Sequence, residues 1–445
     1  MKKTRADLLN GPIYKQVLIF FFPVLLGTFF QQLYNTVDAS VVGKFVGKEA
    51  LGAVGGSTGT LINLLVGFLT GLSSGATVAI SQLYGSRDFN KIRKTVANGM
   101  FLSFALGLIL MIPGIVFAEK MLVMMNVPES ILPYSVIYLR IYLAGLIPSL
   151  IYNMGAGILR AAGDSKRPLY FLIAGTIVNI IFDILFVVVF KWGITGAAVA
   201  TVISQVVSCI LVLLSLNSPH EPFYYRLRDT SYDKDLLNSI VKIGLPTGIQ
   251  SVLYTGSNIL IQSSVNGFGT DTVAAYTAAN KLDALYWMIS GAFSVAVLTV
   301  AGQNYGAGNL KRVKQTFWQT TLIDLILTAV FSVVMYYVGP YGVRLFTEDP
   351  EVISIASNIL RFLCRYWFTF ILVEILSSGL RACGDSLYPM LITVFGIAVF
   401  RVIWLVFFPS DNIFGTLSCF PASWILTSVL ILLYYFSNHW QKVKS

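Results

Sequence analysis

Gly157-Ile-Leu-Arg160-Ala-Ala-Gly163-Asp164 returns in the second half of the chain as Gly379-Leu-Arg381-Ala-Cys-Gly384-Asp385. The displacement that carries Arg160 onto Arg381 also carries Asp164 onto Asp385. It further carries Arg140 onto Arg361, and Gln82-Leu-Tyr-Gly85 onto Gln303-Asn-Tyr-Gly306, each ahead of a short basic loop. Nearer the start, at very slightly larger displacements, Pro23 falls on Pro246, and Gly47-Lys-Glu-Ala-Leu-Gly-Ala53 echoes Gly269-Thr-Asp-Thr-Val-Ala-Ala275. Chance produces one such match, but not several in order at nearly constant spacing. The chain contains itself twice.

Each copy is built from apolar blocks. The 445 residues are 56% hydrophobic and 12% charged, where soluble domains carry roughly 25% charged residues. The blocks have the ~20-residue length that crosses a hydrocarbon core as a helix, and they lack the polar stripe of an amphipathic helix. The first six expected spans are 17–42, 53–80, 96–117, 134–159, 168–190 and 193–216; the second six are 240–265, 273–301, 317–338, 353–380, 388–408 and 413–436. The second and eighth run long, which implies tilt or helix beyond the membrane. The expected fold is an all-α polytopic membrane protein of twelve transmembrane helices in two six-helix lobes. The lobes are residues 1–216 and 239–445, joined by a polar cytoplasmic linker at 217–238.

The net charge of +10 is spread in a way that excludes a nucleic-acid partner. With the N-terminus inside, most Lys and Arg residues fall in inner segments, among them Lys2, Lys3, Arg5, Arg87, Lys91, Arg160, Arg226, Lys311, Lys442 and Lys444. Outer loops hold only Lys44, Lys48, Lys120, Lys191 and Arg344. This is the positive-inside pattern, and it puts both termini in the cytoplasm. The polar N-terminus leads into a full span without a small-residue cleavage site, so a cleaved signal peptide is not expected. An even repeat unit gives both halves the same orientation, related by an axis along the membrane normal. Two like lobes in one chain suit alternating access by a functional monomer better than a channel.

Enzyme chemistry finds no footing. Gly43-Lys-Phe-Val-Gly47-Lys48 has the wrong spacing for a P-loop, and Glu49 stands where Ser or Thr is needed. No HExxH or nucleophile elbow occurs, and the two histidines, His220 and His439, lie in the linker and the tail. Cys209, Cys364, Cys383 and Cys419 sit in or beside apolar spans without CxxC pairing and read as small apolar residues. No cofactor is implied, and any pumping must draw on an ion gradient.

Intramembrane charges cost several kcal/mol unless paired or hydrated, so they mark the place to look. Asp38 lies on the first span, and Asn179 and Asp183 share one face of the fifth. At ~1.5 Å per residue, Asp183 is about 10 Å below the outer end, Thr201 of the sixth span about 12 Å and Asp38 about 6 Å. Four oxygen-bearing side chains thus fall in one layer of one lobe. Such a set suits a hard cation or a proton shared between carboxylates. The plainer reading, hydrogen bonding between helices, serves a single polar residue better than a coincident set. The second lobe differs: at the positions equivalent to Asn179 and Asp183 stand Phe400 and Trp404. Its own membrane charges are Lys281, Asp283, Asp324, Arg361, Arg365, Glu374 and Arg401. The basic ones are expected to pair with carboxylates or lipid phosphates, and Glu374 or Asp283 could serve a second site. Gln31, Asn35 and Asn153 occupy spans expected to border the substrate cleft, where amides and aromatic faces suit amphipathic organic cations.

These residues resemble the multidrug and toxic compound extrusion (MATE) family. The carrying features are Gln31-Gln-Leu-Tyr-Asn-Thr-Val-Asp38 with Val42-Gly43 after it, the paired Gln82 and Gln303, and the repeated Leu-Arg-Ala-x-Gly-Asp segments. The resemblance implies a bacterial cytoplasmic (inner) membrane protein that exports small organic substrates as Na⁺ or H⁺ moves inward. It matches Asp38, Asn179, Asp183 and Thr201 to the first-lobe cation site of the DinF-like branch, and Gln31 to a position lining the drug cavity. Other branches place coupling carboxylates in the second lobe, where Phe400 and Trp404 depart from the pattern. A lipid-linked oligosaccharide flippase of the same superfamily is the alternative. It would be expected to have about fourteen spans and an Arg-rich cleft. The Gly-Arg-Arg-type loop of major-facilitator carriers is absent, since that loop reads Gly85-Ser-Arg-Asp-Phe-Asn-Lys.

Overall fold

The protein, studied as a computed structural model, is described over residues 7–226, 228 and 232–441. Lys2, Lys3, Arg5, Lys442 and Lys444, on which part of the expected orientation rests, lie outside the described residues. The first half runs α1 (Ile13–Phe45), α2 (Lys48–Gly55), α3 (Ser57–Gly85), α4 (Phe89–Met124), α5 (Leu132–Ala144), α6 (Leu146–Ala161), α7 (Lys166–Asp183) and α8 (Gly193–Leu216). The second runs α9 (Lys234–Val265), α10 (Thr270–Gly306), α11 (Leu310–Val343), α12 (Pro350–Cys364), α13 (Ile371–Ala382), α14 (Leu387–Thr393), α15 (Phe400–Phe407), α16 (Ile413–Leu417) and α17 (Cys419–Phe436). No strand occurs among the described residues.

Among the described residues nine helices are long and apolar enough to cross a membrane, or ten if the pair α5 and α6, bent by 49° at Gly145, is one span. This is short of the expected twelve, for two local reasons. Span 240–265 is a continuous helix, but Lys242, Gln250, Asn258 and Gln262 dilute its apolar character. Span 353–380 is interrupted: Arg365 and Tyr366 follow α12, and a 3₁₀ turn, Trp367–Phe370, precedes α13. The long second span is also divided, at Gly56, between α2 and α3.

The repeated sequence is a repeated set of hydrogen bonds. Gly163 and Gly384 take left-handed φ angles of 87° and 93°, a conformation only glycine adopts without strain, and each ends a helix. Gly163 N donates to Arg160 O (2.8 Å) and Asp164 N to Leu159 O (3.0 Å). Gly384 N donates to Arg381 O (2.9 Å) and Asp385 N to Leu380 O (3.2 Å), the same bonds between the equivalent residues. The aspartate that follows caps the next helix. Asp164 accepts from the Lys166 and Arg167 amides at 3.1 and 3.0 Å, and Asp385 from the Tyr388 amide. Burial pushes the Asp385 carboxyl above the usual carboxylate range, opposed by the Tyr434 hydroxyl that donates to it. Asp88 and Asn309, another equivalent pair, cap α4 and α11 by accepting from the Lys91 and Arg312 amides, both at 3.1 Å.

By packing, the chain forms two compact units: one holds the described residues of Phe22–Gly248, the other Asp7–Phe21 and the described residues of Ile249–Ser445. The passages between units fall inside α1 and α9, next to Pro23 and Pro246. Each proline removes a backbone donor from its helix. Within the first unit α3 crosses the start of α9 at close range. A Cβ on Gly71 would lie 2.6 Å from Gly248 N, and one on Gly75 would lie 2.2 Å from Ile240 O. Within the second, Arg312 fastens the N-terminal segment, donating to Gly11 O (3.0 Å), Gln16 Oε1 (3.1 Å) and Asn304 Oδ1 (3.0 Å). The second core is aromatic, with Tyr286 and Trp367 stacked at 4.7 Å. All four cysteines are buried.

Candidate functional site

Asp38, Asn179, Asp183 and Thr201 are all buried within the first unit, with relative exposures of 4%, 0%, 0% and 2%. The register of α7 against α8 brings the last three together. Gly175 meets Ser204 and Ser208, and Phe186 meets Gly196. In an antiparallel pair those contacts put Thr201 level with Asn179 and Asp183. Directly after Asp183 the helix widens into a π-helical stretch, Ile184–Val189, a distortion common at functional sites. The second half has its π-helical stretch at Val394–Val399, ahead of Leu405, the counterpart of Ile184. The fifth and eleventh spans therefore differ in backbone as well as in side chains.

Asp38 comes from α1. Its Oδ2 accepts from the Tyr138 hydroxyl of α5 at 3.3 Å. The remaining polar atoms of the set find nothing. Asp38 Oδ1, both Asp183 oxygens, Asn179 Oδ1 and Nδ2 and Thr201 Oγ1 are buried without a hydrogen-bond partner. Buried polar groups in native proteins are almost always satisfied, and an unpaired buried carboxylate is among the costliest exceptions. Five oxygens, three of them from two carboxylates, match the donor set of a small hard cation. Protonation would relieve the same cost. Among the described residues no three of His, Cys, Asp and Glu gather around one point.

Next to this set lies an open cavity of about 550 Å³, a volume that includes space continuous with its surroundings, lined by Gln31, Tyr34, Tyr142, Ser149, Tyr152, Asn153, Thr176, Ser204, Gln205 and Ser208, with Val66, Leu172 and Gly175. Thr176 is one turn from Asn179, and Ser204 and Gln205 one turn from Thr201, so α7 and α8 carry both cavity and cluster. Gln31 and Asn153 are in its wall. Asn35 is not: it is exposed and donates to Gln32 Oε1 at 3.3 Å. The tyrosines and Gln205 were missed, although Tyr34 lies in the sequence between two residues already singled out.

The second unit is organised differently. Both oxygens of Asp283 are taken by indole donors, Trp287 Nε1 at 2.6 Å and Trp367 Nε1 at 2.8 Å. Asp324 Oδ1 accepts from Thr328 at 3.1 Å, while its Oδ2 is buried without a partner. Of the two partners expected for the basic residues, carboxylates or lipid phosphates, the first is not found among the described residues. None of Lys281, Arg361, Arg365 and Arg401 forms a salt bridge among the described residues. Arg401 is buried against the Phe420 ring (4.5 Å) and donates to Asn258 Oδ1 at 2.9 Å, so neutral partners and π faces hold it.

Comparison with known proteins agrees with this architecture. The MatE family model matches residues 23–185 and again 246–406, one copy on each half. The Bacillus subtilis protein named "Probable multidrug resistance protein YoeA" is 29% identical over 95% of this chain and 93% of its own length. The "Probable multidrug resistance protein NorM" of Thermotoga maritima is 24% identical over 97% and 94%. A solved multidrug resistance transporter of the MATE family, in its outward-facing conformation, superposes with a TM-score of 0.91 at 23% identity, covering 99% of this chain and 98% of that one. A MOP-superfamily transporter from Pyrococcus furiosus gives a TM-score of 0.90 at 23% identity, with 98% of both chains covered. With the family model matched on both halves of a doubled, all-helical membrane architecture, this chain belongs to the MatE family of multi-pass membrane transporters.

Proposed function

We propose that the protein is a secondary active antiporter that exports amphipathic, cationic organic compounds in exchange for Na⁺ or H⁺. It would work by alternating access between lobes 1–216 and 239–445, joined by the linker 217–238, in a bacterial cytoplasmic membrane with both termini inside. The observation that carries the reading is the set of six unsatisfied buried atoms on Asp38, Asn179, Asp183 and Thr201, adjoining a cavity to which their helices α1, α7 and α8 all contribute. Relatives named for multidrug resistance point the same way. In this mechanism Na⁺ or H⁺ enters from outside and neutralises the Asp38/Asp183 pair. Neutralisation removes the charge that holds a cationic substrate and favours the inward-open state. There the cation leaves, the carboxylates recharge, and a new substrate binds from the cytoplasm or inner leaflet. The cation drives the cycle only through its differential affinity for the two states.

The lining of the cavity holds no Arg or Lys, which disfavours a flippase that must grip a diphosphate. Transport in proteoliposomes with independently imposed Na⁺ and pH gradients tests the proposal. Asp183→Asn is expected to abolish gradient-driven export while insertion and folding persist. Export of an organic cation by that variant at the parent rate would overturn the assignment. Ethidium accumulation in cells with and without the protein separates efflux from flipping.

A further inference from the structure

The repeat exposes a site through a broken copy. In the first unit Arg140 Nε donates to Ile115 O at 3.3 Å, and its Nη2 lies 3.7 Å from Glu119. In the second, Arg361 Nε donates to Tyr336 O, again at 3.3 Å, the same bond between the equivalent residues. The position matching Glu119 is Pro340, so the neutralising carboxylate is gone. A second arginine has been added where the first half has Ala144: Arg365, whose Nη2 donates to the Tyr336 hydroxyl at 3.2 Å. Both guanidinium carbons lie 5.4 Å from the Tyr336 ring centre. Two positive charges thus flank one tyrosine with no carboxylate in salt-bridge range among the described residues. The nearest acid on α12, Glu351, is nearly three turns from Arg361, ~15 Å along the axis.

Their level is that of a membrane interface. Tyr336 stands just inside the end of the apolar block 317–338, as Ile115 does in 96–117. Neighbouring Tyr337, Tyr341 and Phe368 are exposed apolar surface, of the kind that meets lipid. Arginine side chains at this depth reach toward headgroups, and guanidinium forks match phosphate oxygens. We propose that Arg361, Arg365 and Tyr336 form a binding site for the phosphate of an anionic phospholipid. Lipid is favoured over free phosphate because the charges are set beside a lipid-facing apolar surface.

Native mass spectrometry of the purified full chain, titrated with phosphatidylglycerol, tests this. The parent is expected to hold one phosphatidylglycerol more tightly than phosphatidylcholine. Arg361→Gln/Arg365→Gln should weaken that binding roughly thirtyfold, from two basic contacts, while Arg140→Gln leaves it unchanged. Pro340→Glu restores the missing acid and should weaken binding with both arginines in place. That variant decides the matter should the double variant fail to fold. Undiminished binding by a folded double variant and by Pro340→Glu, or an equal loss in Arg140→Gln, overturns the proposal. So does displacement of the lipid by an equal concentration of inorganic phosphate.

Discussion

Replacing Asp183 by Asn removes one charge from the cluster while keeping its volume, so the coupling role can be tested apart from folding. Both Asp183 oxygens are buried without partners. At ~4 Å and an effective dielectric of ~20, one carboxylate attracts a monovalent cation by about 4 kcal/mol. Asp38 remains, and part of the loss is offset by relief of desolvation, so a net loss of about 2–4 kcal/mol is expected. That corresponds to a roughly 30- to 1,000-fold weaker cation affinity. For a parent Kd of about 1 mM, about 100 mM Na⁺ stabilises the folded state by about 2.7 kcal/mol. If the variant's Kd rises to about 100 mM, the same Na⁺ gives only about 0.4 kcal/mol. In cation-free buffer at neutral pH the variant should be at least as stable as the parent, since a neutral amide replaces an unpaired buried charge. The assay is thermal unfolding in detergent across Na⁺ concentration at fixed pH, then across pH without Na⁺. A variant with the parent's shift and half-maximum in both series would refute the reasoning.

Three further outcomes follow from the geometry. Gly75→Val drives a side chain into backbone 2.2 Å away at Ile240 O and should cost about 3 kcal/mol or more, seen as loss of monodisperse protein; Gly291→Ala, with nothing within 4 Å, should be near neutral. Asp164→Ala should lower the melting temperature more than Asp385→Ala. Both lose a cap worth about 1 kcal/mol; the second also loses the Tyr434 hydroxyl bond, but the first removes the nearer of the two carboxylates, Asp164 at 2.5 Å and Glu221 at 3.5 Å, that hold the largely buried Arg167 guanidinium. Asn153→Leu should weaken ethidium binding roughly fivefold to tenfold through a lost polar contact, read by fluorescence titration, and leave the melting temperature unchanged.

Part of this was legible because it is written in one-dimensional spacing. The constant displacement between copies set the doubled plan, and the same helix stops and caps recur at Gly163 and Gly384 and at Asp88 and Asn309. Asn179 and Asp183 could be put on one face because a helix has a fixed period. Asn35 has the same spacing from Gln31, and spacing alone did not show that its amide donates to Gln32 instead of lining the cavity. The count of membrane helices was harder, since composition does not reveal that the stretch around Arg361 and Arg365 breaks into α12, a 3₁₀ turn and α13.

By itself the sequence determined the apolar helical class, the repeat and the acidic character of one lobe, since each follows from residue type and spacing along the chain. Tertiary structure alone decided that Asp38, Asn179, Asp183 and Thr201 are buried with six polar atoms unsatisfied, that Tyr138 donates to Asp38, and that Arg361 and Arg365 share a tyrosine instead of a carboxylate. Those are contacts between segments far apart in sequence. Their partners are set by helix register and by which side chains fill the space between helices, and no local spacing encodes either.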